Sequence, residues 1–256
     1  MSDPGVVYEV ADGIARITLD RPPVNALSLD TVPAIVAAFR RAAADDAARA
    51  VVLSSAVPRR FCAGVDLAVL LGKSSEQVRE FLQALYVDLH DAQYNLGKPS
   101  IAAVGGAARG GGMTVAISCD VILAGDHATF GYPEINIGVL PAIHFAHLPR
   151  IVGRHRAFEL LFSGRSFDAR EAFDLGLISR IVADAELDAA AMALAADFAA
   201  KSPTVMRLAR AAFMRQNDLD YRRSVAVAVE DFCNVAVTAA AQEGIRAFLE
   251  KRPPNW

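Results

Sequence analysis

Residues 100–141 constrain the fold of this chain more than any other stretch, because a short apolar run there meets a cluster of glycines. Residues 101–104 are apolar throughout, which predicts a buried strand, and residues 113–118 follow a helical pattern. Between them stand the glycines at positions 105, 106, 110, 111 and 112. The first turn of a helix leaves N–H groups without internal acceptors, and glycine lets a ligand approach them closely. The stretch therefore predicts backbone N–H groups that can bind an anionic oxygen.

Glu134 follows in the same stretch, between Pro133 and an apolar segment that includes Ile135 and Ile137. A carboxyl group in apolar surroundings is partly desolvated, which raises its pKa toward neutrality. An anion-binding backbone together with one such carboxyl group suggests proton transfer beside a polarised carbonyl group.

Composition excludes several classes of protein. The formal net charge of −3 gives no reason to expect nucleic acid as a partner. No apolar run is long enough to span a bilayer, and the first residues lack a basic segment followed by an apolar one, so no membrane association is expected. The histidines form no ligand motif, so no metal site is expected. Cys62, Cys119 and Cys233 are widely spaced, which predicts reduced thiols in a cytoplasmic protein.

Apolar periodicity and turn residues predict strands at several positions. Asp12 and Gly13 predict a hairpin turn between strands at 6–10 and 14–19. Further strands are predicted at 50–54, 101–104, 121–124 and 128–131. Strands that alternate with helices in this way indicate parallel pairing through right-handed crossovers.

Helices are predicted after residue 28, with Asp30 or Thr31 as the cap, and at 75–96, with Ser75 as the cap. A further helix start is predicted at residues 65–67, after a loop at 57–64. From Leu187 onward the chain becomes alanine-rich and purely helical in pattern.

Four segments resemble one protein family in their order along the chain. They are ITLDRPPVNALS at 17–28, RRFCAGVDL at 59–67, the stretch 100–141, and EGIRAFLEKRPPNW at 243–256. The sequence is similar to the crotonase (enoyl-CoA hydratase/isomerase) superfamily over essentially its whole length. The resemblance implies an α/β fold in which residues 1–186 form a spiral core of ββα units with the acyl-CoA site. Residues 187–256 would then form a C-terminal α-helical trimerisation region.

The resemblance further implies a homo-oligomer, either a trimer or a dimer of trimers. A hydrophobic fraction of 54% and the many alanine and valine residues of the helical tail favour an interface between subunits. The alternative is that the tail is an ordinary helical cap on the core of its own chain.

Members of this family stabilise an enolate oxygen with two backbone N–H groups. The resemblance assigns these donors to Ala63, in FCAGVDL, and to Gly111, the middle glycine of three. Preorganised donors of this kind stabilise an oxyanion by several kcal/mol, on the order of what deletion of one donor costs. The resemblance also assigns Glu134 as the residue that moves protons at the substrate carbons.

Thr114 departs from the pattern of the family's hydratases, which carry a second glutamate in a GGG-x-E segment. Threonine cannot act as a base near neutral pH. Residues 141–147 read PAIHFAH, where the hydratases carry a glycine-rich segment beside the added water. Both departures argue against simple hydration.

One glutamate is enough to move a double bond, because it can take a proton from C2 of a 3-enoyl thioester and return it at C4. The sequence therefore predicts a 3-enoyl-CoA to 2-enoyl-CoA isomerase with Glu134 as acid and base. Two alternatives remain open. One is an enoyl-CoA hydratase or another crotonase-type reaction that uses Glu134 alone or with His144, and the other is a non-catalytic subunit that binds acyl-CoA.

His144 and His147 allow two interpretations. Either could be an auxiliary acid or a polar contact in the acyl pocket, with Thr114 beside it, since histidine titrates near neutrality. They could instead lie in the first turn of a helix and pack or face solvent. Arg109 could belong to a subunit contact or to the acyl pocket, and the sequence does not decide between these.

The resemblance places the pantetheine of coenzyme A against Ala63, Gly64, Val65 and Asp66, with Gly111 also at the substrate. It places the adenine near Ala26, with Arg59 or Arg60 available for a phosphate, and Phe248 and Lys251 at the nucleotide of a neighbouring subunit. No cofactor is expected apart from the coenzyme A that the acyl-CoA thioester substrate carries.

Overall fold

The computed structural model describes residues 4–217 and 221–255, and their strands form two sheets. The strands are, in chain order, β1 (Val6–Ala11), β2 (Ile14–Leu19), β3 (Ala50–Ser55), β4 (Arg60–Cys62), β5 (Ser100–Val104), β6 (Ala107–Arg109), β7 (Val121–Gly125), β8 (Thr129–Gly131), β9 (Ser166–Asp168) and β10 (Arg180–Val182). The larger sheet has the order β1-β2-β3-β5-β7-β10, and the smaller sheet has the order β4-β6-β8-β9. Every strand that the sequence predicted is present, and so is the hairpin turn at Asp12 and Gly13.

Helices follow the strands along the chain. They are α1 (Thr31–Ala44), α2 (Ser75–Leu82), α3 (Leu89–Tyr94), α4 (Gly111–Ile117), α5 (Ala142–Val152), α6 (Arg154–Ser163), α7 (Ala169–Asp174), α8 (Leu187–Ala199), α9 (Pro203–Asn217), α10 (Tyr221–Ala236) and α11 (Ala239–Leu249). Within the described ranges, every helix is too short or too polar to cross a bilayer.

From β3 to β8, consecutive strands alternate between the two sheets. β3, β5 and β7 pair in parallel in the larger sheet, while β4, β6 and β8 pair in parallel in the smaller one. A helix or helix pair follows each two-strand unit, because parallel neighbours need a long connection. Three successive ββα units therefore wind into a spiral, as the resemblance implied.

The central strand β5 is buried on both faces, which explains its continuous apolar sequence. Ala102 and Val104 point into the main core, whereas Ile101 and Ala103 point to the opposite face. α8 covers that opposite face with Leu187, Ala191, Ala195 and Ala199. The four-residue spacing of these small side chains forms the stripe that lies against the sheet.

The cap of α1 differs in part from the prediction. Asp30 occupies the position before the helix, but its side chain makes no capping hydrogen bond. Ser28 Oγ instead accepts hydrogen bonds from the Thr31 N–H at 3.2 Å and from the Asp30 N–H at 3.3 Å. Asp30 is therefore the N-cap residue by position, as predicted, but Ser28 supplies the accepting oxygen from just before the first turn.

The helix predicted at 75–96 differs in its cap and in its continuity. Ser74 rather than Ser75 caps α2, with Ser74 Oγ accepting from the Gln77 N–H at 3.3 Å and Gln77 Oε1 accepting from the Ser74 N–H at 3.1 Å. This reciprocal pair is a capping box. A π-helical segment, Gln83–Asp88, then separates α2 from α3, and apolar periodicity does not reveal such a change.

The predicted helix start at 65–67 is a short 3₁₀ turn, Leu67–Val69, whose cap is Asp66. Asp66 Oδ1 accepts a hydrogen bond from the Ala68 N–H at 3.2 Å. The preceding residues 57–64, predicted as a loop, include the short strand β4.

The helical tail begins at Leu187, as predicted, and its last part forms the two helices α10 and α11. Thr238 Oγ1 caps α11 by accepting from the Ala241 N–H at 3.2 Å. Phe232, Cys233 and Ile245 of these two helices belong to the main core. Residues from 187 onward therefore pack with the preceding residues of the same chain, both in the main core and in the cluster between the larger sheet and α8. A role of the tail between subunits stays a prediction.

Arg210 fastens α9 to the main body through a buried hydrogen-bond network. Its guanidinium donates to both carboxylate oxygens of Asp120, at 2.9 and 3.0 Å, and to the carbonyl oxygens of Gln93 at 2.7 Å and Tyr94 at 3.1 Å. The side chain of Arg210 is only 6% exposed, and that of Asp120 is 20% exposed. The ion pair is therefore largely removed from water.

We expect Arg210→Ala to lower the free energy of unfolding by about 3–5 kcal/mol, because it leaves the largely buried Asp120 carboxylate without its positively charged partner. Urea titration followed by circular dichroism measures the change. The matched control is Arg207→Ala, which removes an exposed arginine one turn earlier on α9 and should change stability by less than about 0.5 kcal/mol. Equal effects of the two substitutions would contradict the assignment.

Candidate active site

The glycine cluster forms a sharp turn between β6 and α4. Gly110 has φ +49° and ψ −115°, a conformation that residues with a Cβ rarely adopt. A Cβ on Gly110 would also lie 2.9 Å from Glu134 Oε1. Glycine is required here for both reasons, and the turn lies directly against the carboxyl group of Glu134.

Gly112 and Gly64 bring a second turn against the first. A Cβ on Gly112 would lie 2.3 Å from the Cys62 carbonyl oxygen, and a Cβ on Gly64 would lie 2.7 Å from the Arg109 carbonyl oxygen. The same Cβ on Gly64 would lie 3.3 Å from the Gly111 nitrogen. The backbone at 62–64 thus touches the backbone at 109–112. The structure brings together the two turns that the resemblance assigned to the site.

The assignment of an oxyanion donor to Ala63 is wrong, because the Ala63 N–H is already engaged. It donates a hydrogen bond to the Val24 carbonyl oxygen at 3.0 Å. An N–H that bonds within the protein is not available to a ligand oxygen. Ala63 keeps its place in the turn, so an oxyanion donor from this turn would have to be a neighbouring amide.

Val65 offers that amide. Leu27 pairs with Val65 in an isolated parallel bridge, in which the Leu27 N–H donates to the Gly64 carbonyl oxygen and the Asp66 N–H donates to the Leu27 carbonyl oxygen. Successive N–H groups of an extended chain point to opposite sides, so the Val65 N–H points away from Leu27. Within the described part of the chain, neither the Val65 N–H nor the Gly111 N–H donates to another residue. A Cβ on Gly111 would lie 3.1 Å from Val65 Cγ2, so the two amides belong to adjoining turns.

Asn25 and Arg21 hold the neighbouring loop, and the sequence analysis missed both. Asn25 is buried with φ +53°, its Nδ2 donates to the Phe61 carbonyl oxygen at 2.9 Å, and its Oδ1 accepts from the Arg21 N–H at 2.7 Å. The Arg21 guanidinium donates to the Ala26 carbonyl oxygen at 2.9 Å and lies 3.6 Å from Asp66 Oδ2. Ala26 and Asp66, both predicted coenzyme contacts, are therefore joined through Arg21. Asparagine is the residue besides glycine that best tolerates positive φ, which was the available signal.

Glu134 lies in the 3₁₀ turn Pro133–Ile137, and its carboxyl group is enclosed. The residue as a whole is partly exposed, but its Oε2 atom is buried and lacks a hydrogen-bond partner among the described residues. Burial disfavours the charged form and raises the pKa of Glu134 to about 7. The predicted desolvation of this carboxyl group is therefore confirmed.

Two buried phenols accompany Glu134. Burial, and then the negative charge of Glu134, raise the pKa values of Tyr86 and Tyr132, so both side chains stay protonated. The Tyr132 hydroxyl is buried and has no hydrogen-bond partner among the described residues. Buried polar atoms of this kind are uncommon in folded proteins and are typical of functional sites.

Thr114 and His144 meet beside the glycine turn, and both are fully buried. His144 Nε2 lies 3.4 Å from Thr114 Oγ1 and 3.3 Å from the Gly110 carbonyl oxygen. Burial lowers the pKa of His144 to about 3, so its imidazole is neutral near pH 7. Of the two interpretations of His144, the structure favours the one in which the side chain packs in the protein. It packs against the glycine turn. Its ring centroid lies 4.5 Å from that of Tyr132.

His147 and Arg109 lie at the edge of this group. The His147 ring meets the His144 ring edge-on at 6.5 Å, and burial lowers its pKa to about 3. Arg109 Nη1 donates to the carbonyl oxygens of Ala108, at 3.0 Å, and Thr129, at 2.7 Å, while Nη2 donates to Thr129 Oγ1 at 2.8 Å. Arg109 thus joins β6 to β8. These hydrogen bonds explain its presence before the glycines, which the sequence did not.

α11 packs against the turn that carries Glu134. Gln242 of this helix accepts a hydrogen bond from the Gly72 N–H at 2.8 Å and donates to the carbonyl oxygens of Leu70 at 3.3 Å and Ala236 at 2.9 Å. The C-terminal helix of the same chain therefore connects the Glu134 turn with the segment that follows Asp66.

The outer residues predicted to bind the coenzyme lie on the surface. Arg59 and Arg60 line a cavity of about 450 Å³ together with Asp184 and other residues, but residues 63–66 are not part of its wall. Phe248 on α11 is 59% exposed, and Lys251 is exposed just beyond that helix. Contacts of these four residues with a coenzyme stay predictions.

One group of potential metal ligands occurs among the described residues, and it is exposed. Asp126, His127 and Asp184 lie together, with His127 Nδ1 at 2.9 Å from Asp126 Oδ1 and at 3.0 Å from Asp184 Oδ2. The hydrogen bonds and charges of the two carboxylates raise the pKa of His127. These side chains satisfy one another and are not part of the glycine turn or the Glu134 turn. The expected absence of a metal site stays a prediction.

The chain is similar to known proteins over nearly its whole length. The family model described as enoyl-CoA hydratase/isomerase matches residues 9–256. A probable enoyl-CoA hydratase of Bacillus subtilis is 34% identical over 245 residues, which cover 95% of each chain. A crotonyl-CoA hydratase of Syntrophomonas wolfei is 32% identical over 258 residues, covering 100% of this chain and 99% of the relative. The crystal structure of a putative enoyl-CoA hydratase from Mycobacterium avium paratuberculosis superimposes with a TM-score of 0.86 at 33% identity, covering 98% of each chain.

We expect Gly112→Ala to lower the free energy of unfolding by about 1–3 kcal/mol, because the new Cβ would push β4 away from α4. In a helix with free space around the position, Gly→Ala would instead raise stability by roughly 0.5–1 kcal/mol. Whether the substitution lowers or raises the free energy of unfolding therefore tells whether the close contact exists. Thermal unfolding by calorimetry measures it. Gly105→Ala is the matched control, since its Cβ would meet only the end of the Leu187 side chain, at 3.3 Å. A Gly112→Ala variant as stable as the wild type would contradict the close contact.

Proposed function

The chain belongs to the enoyl-CoA hydratase/isomerase family, and we propose that it moves the double bond of a 3-enoyl-CoA thioester to the 2-position. Family membership supports the broader conclusion that the chain is an enzyme that acts on acyl-CoA thioesters. The finer proposal depends on one observation. Glu134 places a buried carboxyl group at the glycine turn, while Thr114, which stands where the family's hydratases carry their second glutamate, lies 3.4 Å from a neutral His144.

The proposed reaction begins with proton removal from the substrate. The Glu134 carboxylate takes a proton from C2, and the electron pair of that C–H bond moves toward the thioester oxygen to form a dienolate. The N–H groups of Val65 and Gly111 stabilise the negative oxygen. The Glu134 carboxylic acid then returns the proton at C4, and the double bond ends between C2 and C3.

The pKa of about 7 supports this double role of Glu134. A general acid–base group works best when its pKa lies near the working pH, because both protonation states are then populated. The reaction consumes neither water nor an oxidant. It requires no cofactor apart from the coenzyme A that the substrate carries.

Hydration is the second candidate, and the names of the relatives favour it. The Bacillus subtilis relative is named a probable enoyl-CoA hydratase, and the Syntrophomonas wolfei relative is named a crotonyl-CoA hydratase. A hydratase must hold a water molecule beside the double bond. In this chain Glu134 would have to hold it, alone or together with the Thr114 hydroxyl or the buried His144 Nδ1.

Homo-oligomer formation is part of the proposal. Large apolar side chains that are 40% or more exposed occur on α6, α9 and α11. They include Phe158, Phe162, Val205, Leu208, Phe248 and Leu249. The rings of Phe158 and Phe162 stack with their centroids 4.1 Å apart, and an exposed apolar patch of this kind favours an interface between subunits. A trimer or a dimer of trimers, as the family resemblance implies, would cover it.

The first test offers trans-3-hexenoyl-CoA and crotonyl-CoA to the purified protein in parallel and follows the absorbance of the conjugated enoyl thioester. We expect a rise with the first substrate and no loss with the second. Loss of absorbance with crotonyl-CoA would contradict the isomerase proposal and support hydration.

Glu134→Gln serves as the control in the same assay. It should lower turnover by about a hundredfold to ten-thousandfold, because it removes the proton-transferring group, and still bind acyl-CoA. Unchanged behaviour of this variant, with neither protein active, would instead support the non-catalytic binding subunit.

We expect kcat/KM for the 3-enoyl substrate to rise with pH, to reach half its maximum near pH 7 and to level off above it. The carboxylate form of Glu134 must take the first proton, and the pKa of that group is about 7. His144, with a pKa of about 3, should contribute no change near neutrality. Initial rates across pH, with thermal unfolding measured at each pH, provide the check. A profile that is flat between pH 5 and pH 8 would contradict the role of Glu134.

A further inference from the structure

The Gly110 carbonyl oxygen accepts three hydrogen bonds. The Met113 N–H donates to it at 2.8 Å and the Thr114 N–H at 3.2 Å, which closes the first turn of α4. The third partner is His144 Nε2, at 3.3 Å, from the separate helix α5. Two bonds thus come from the helix that follows Gly110, and one comes from a side chain elsewhere in the fold.

The peptide unit between Gly110 and Gly111 is planar, so its carbonyl and its N–H are directed along one axis in opposite senses. A group that holds the Gly110 carbonyl oxygen therefore also sets the direction of the Gly111 N–H. Hydrogen bonding to the carbonyl oxygen polarises the peptide as well, which makes the N–H on its other side a better donor. Gly110 itself has no side chain to hold this plane, and its φ of +49° lies where glycine is conformationally free.

The chemistry of the contact determines which nitrogen of His144 carries the proton. A carbonyl oxygen only accepts hydrogen bonds, so the nitrogen that faces it must be N–H. In the neutral imidazole the proton is therefore on Nε2. Thr114 Oγ1, at 3.4 Å from the same nitrogen, can share this proton as an additional acceptor.

We infer that His144 is a positioning residue for the oxyanion donor, which holds and polarises the Gly110–Gly111 peptide through its Nε2–H. The inference rests on the proposed function, because that function assigns the Gly111 N–H to the thioester oxygen. It gives His144 a role in any reaction of this site that passes through an enolate. His144 itself neither touches the reacting carbons nor transfers a proton.

The test measures the thioester carbonyl stretch of bound butyryl-CoA by infrared difference spectroscopy, with the carbonyl carbon isotopically labelled. This saturated thioester cannot isomerise or add water, and hydrogen bonding lowers its stretching frequency. The wild type should shift the band to lower frequency. His144→Phe should lose a substantial part of that shift and about tenfold in kcat, less than the roughly hundredfold loss that follows deletion of a whole donor. KM should change less than kcat.

A matched pair of amide variants separates this role from packing alone. His144→Gln can place an N–H near the position of Nε2, whereas the shorter side chain of His144→Asn reaches only the position of Nδ1. We expect His144→Gln to keep most of the frequency shift and of kcat, and His144→Asn to lose both. The pair decides the question even if His144→Phe does not fold.

Two results would overturn the inference while leaving the proposed function intact. One is a full frequency shift in His144→Phe, and the other is an equal shift in the glutamine and asparagine variants, each with the bound thioester and the activity retained. If the wild type binds butyryl-CoA without any shift, or does not bind it, the oxyanion donors and the proposed function fail together with the inference.

Discussion

Direct contact between two backbone turns is the constraint on which the rest of the site depends. The backbone at Cys62 to Gly64 approaches the start of α4 so closely that no Cβ fits at Gly112. This contact places the N–H groups of two separate ββα units side by side, because each turn follows a strand of the smaller sheet. The spiral supplies the strands in parallel order, and the glycines let their ends converge. Glu134, which follows β8 in the third unit, then completes the group.

Local sequence was sufficient to predict those parts of the site that depend on local structure. The glycine turn before α4 follows from three adjacent glycines, and the burial of Glu134 follows from the apolar residues beside it. The sequence did not reveal which amide near Gly64 is free, because the answer depends on a segment far away in the chain. Val24 engages the Ala63 N–H, and that leaves Val65 as the donor that points outward. A motif locates a turn, but the partner strand decides which of its N–H groups remain available.

The correct cap of α2, in contrast, could have been predicted from the sequence. Ser74 and Ser75 are adjacent serines, and only Ser74 has a glutamine three residues later, which is the pattern of a capping box. The contact between His144 and Gly110 had no such signal, since it joins residues of two helices whose packing depends on the whole spiral. The placement of α10 and α11 in the main core was likewise beyond the sequence pattern, because an alanine-rich helix packs equally well on its own chain or on a neighbour.

The enclosed carboxyl group of Glu134 would serve the proposed chemistry in both directions. With a pKa of about 7, both its protonated and its ionised form are populated near neutral pH. The ionised form starts the reaction from either isomer, because it takes a proton from C2 of the unconjugated thioester or from C4 of the conjugated one. Each turnover returns the proton to the substrate and restores the carboxylate, so no proton exchange with solvent is needed between turnovers. The net direction of flux would be determined by the relative amounts and stabilities of the two isomers, and the protein would speed their approach to equilibrium from either side.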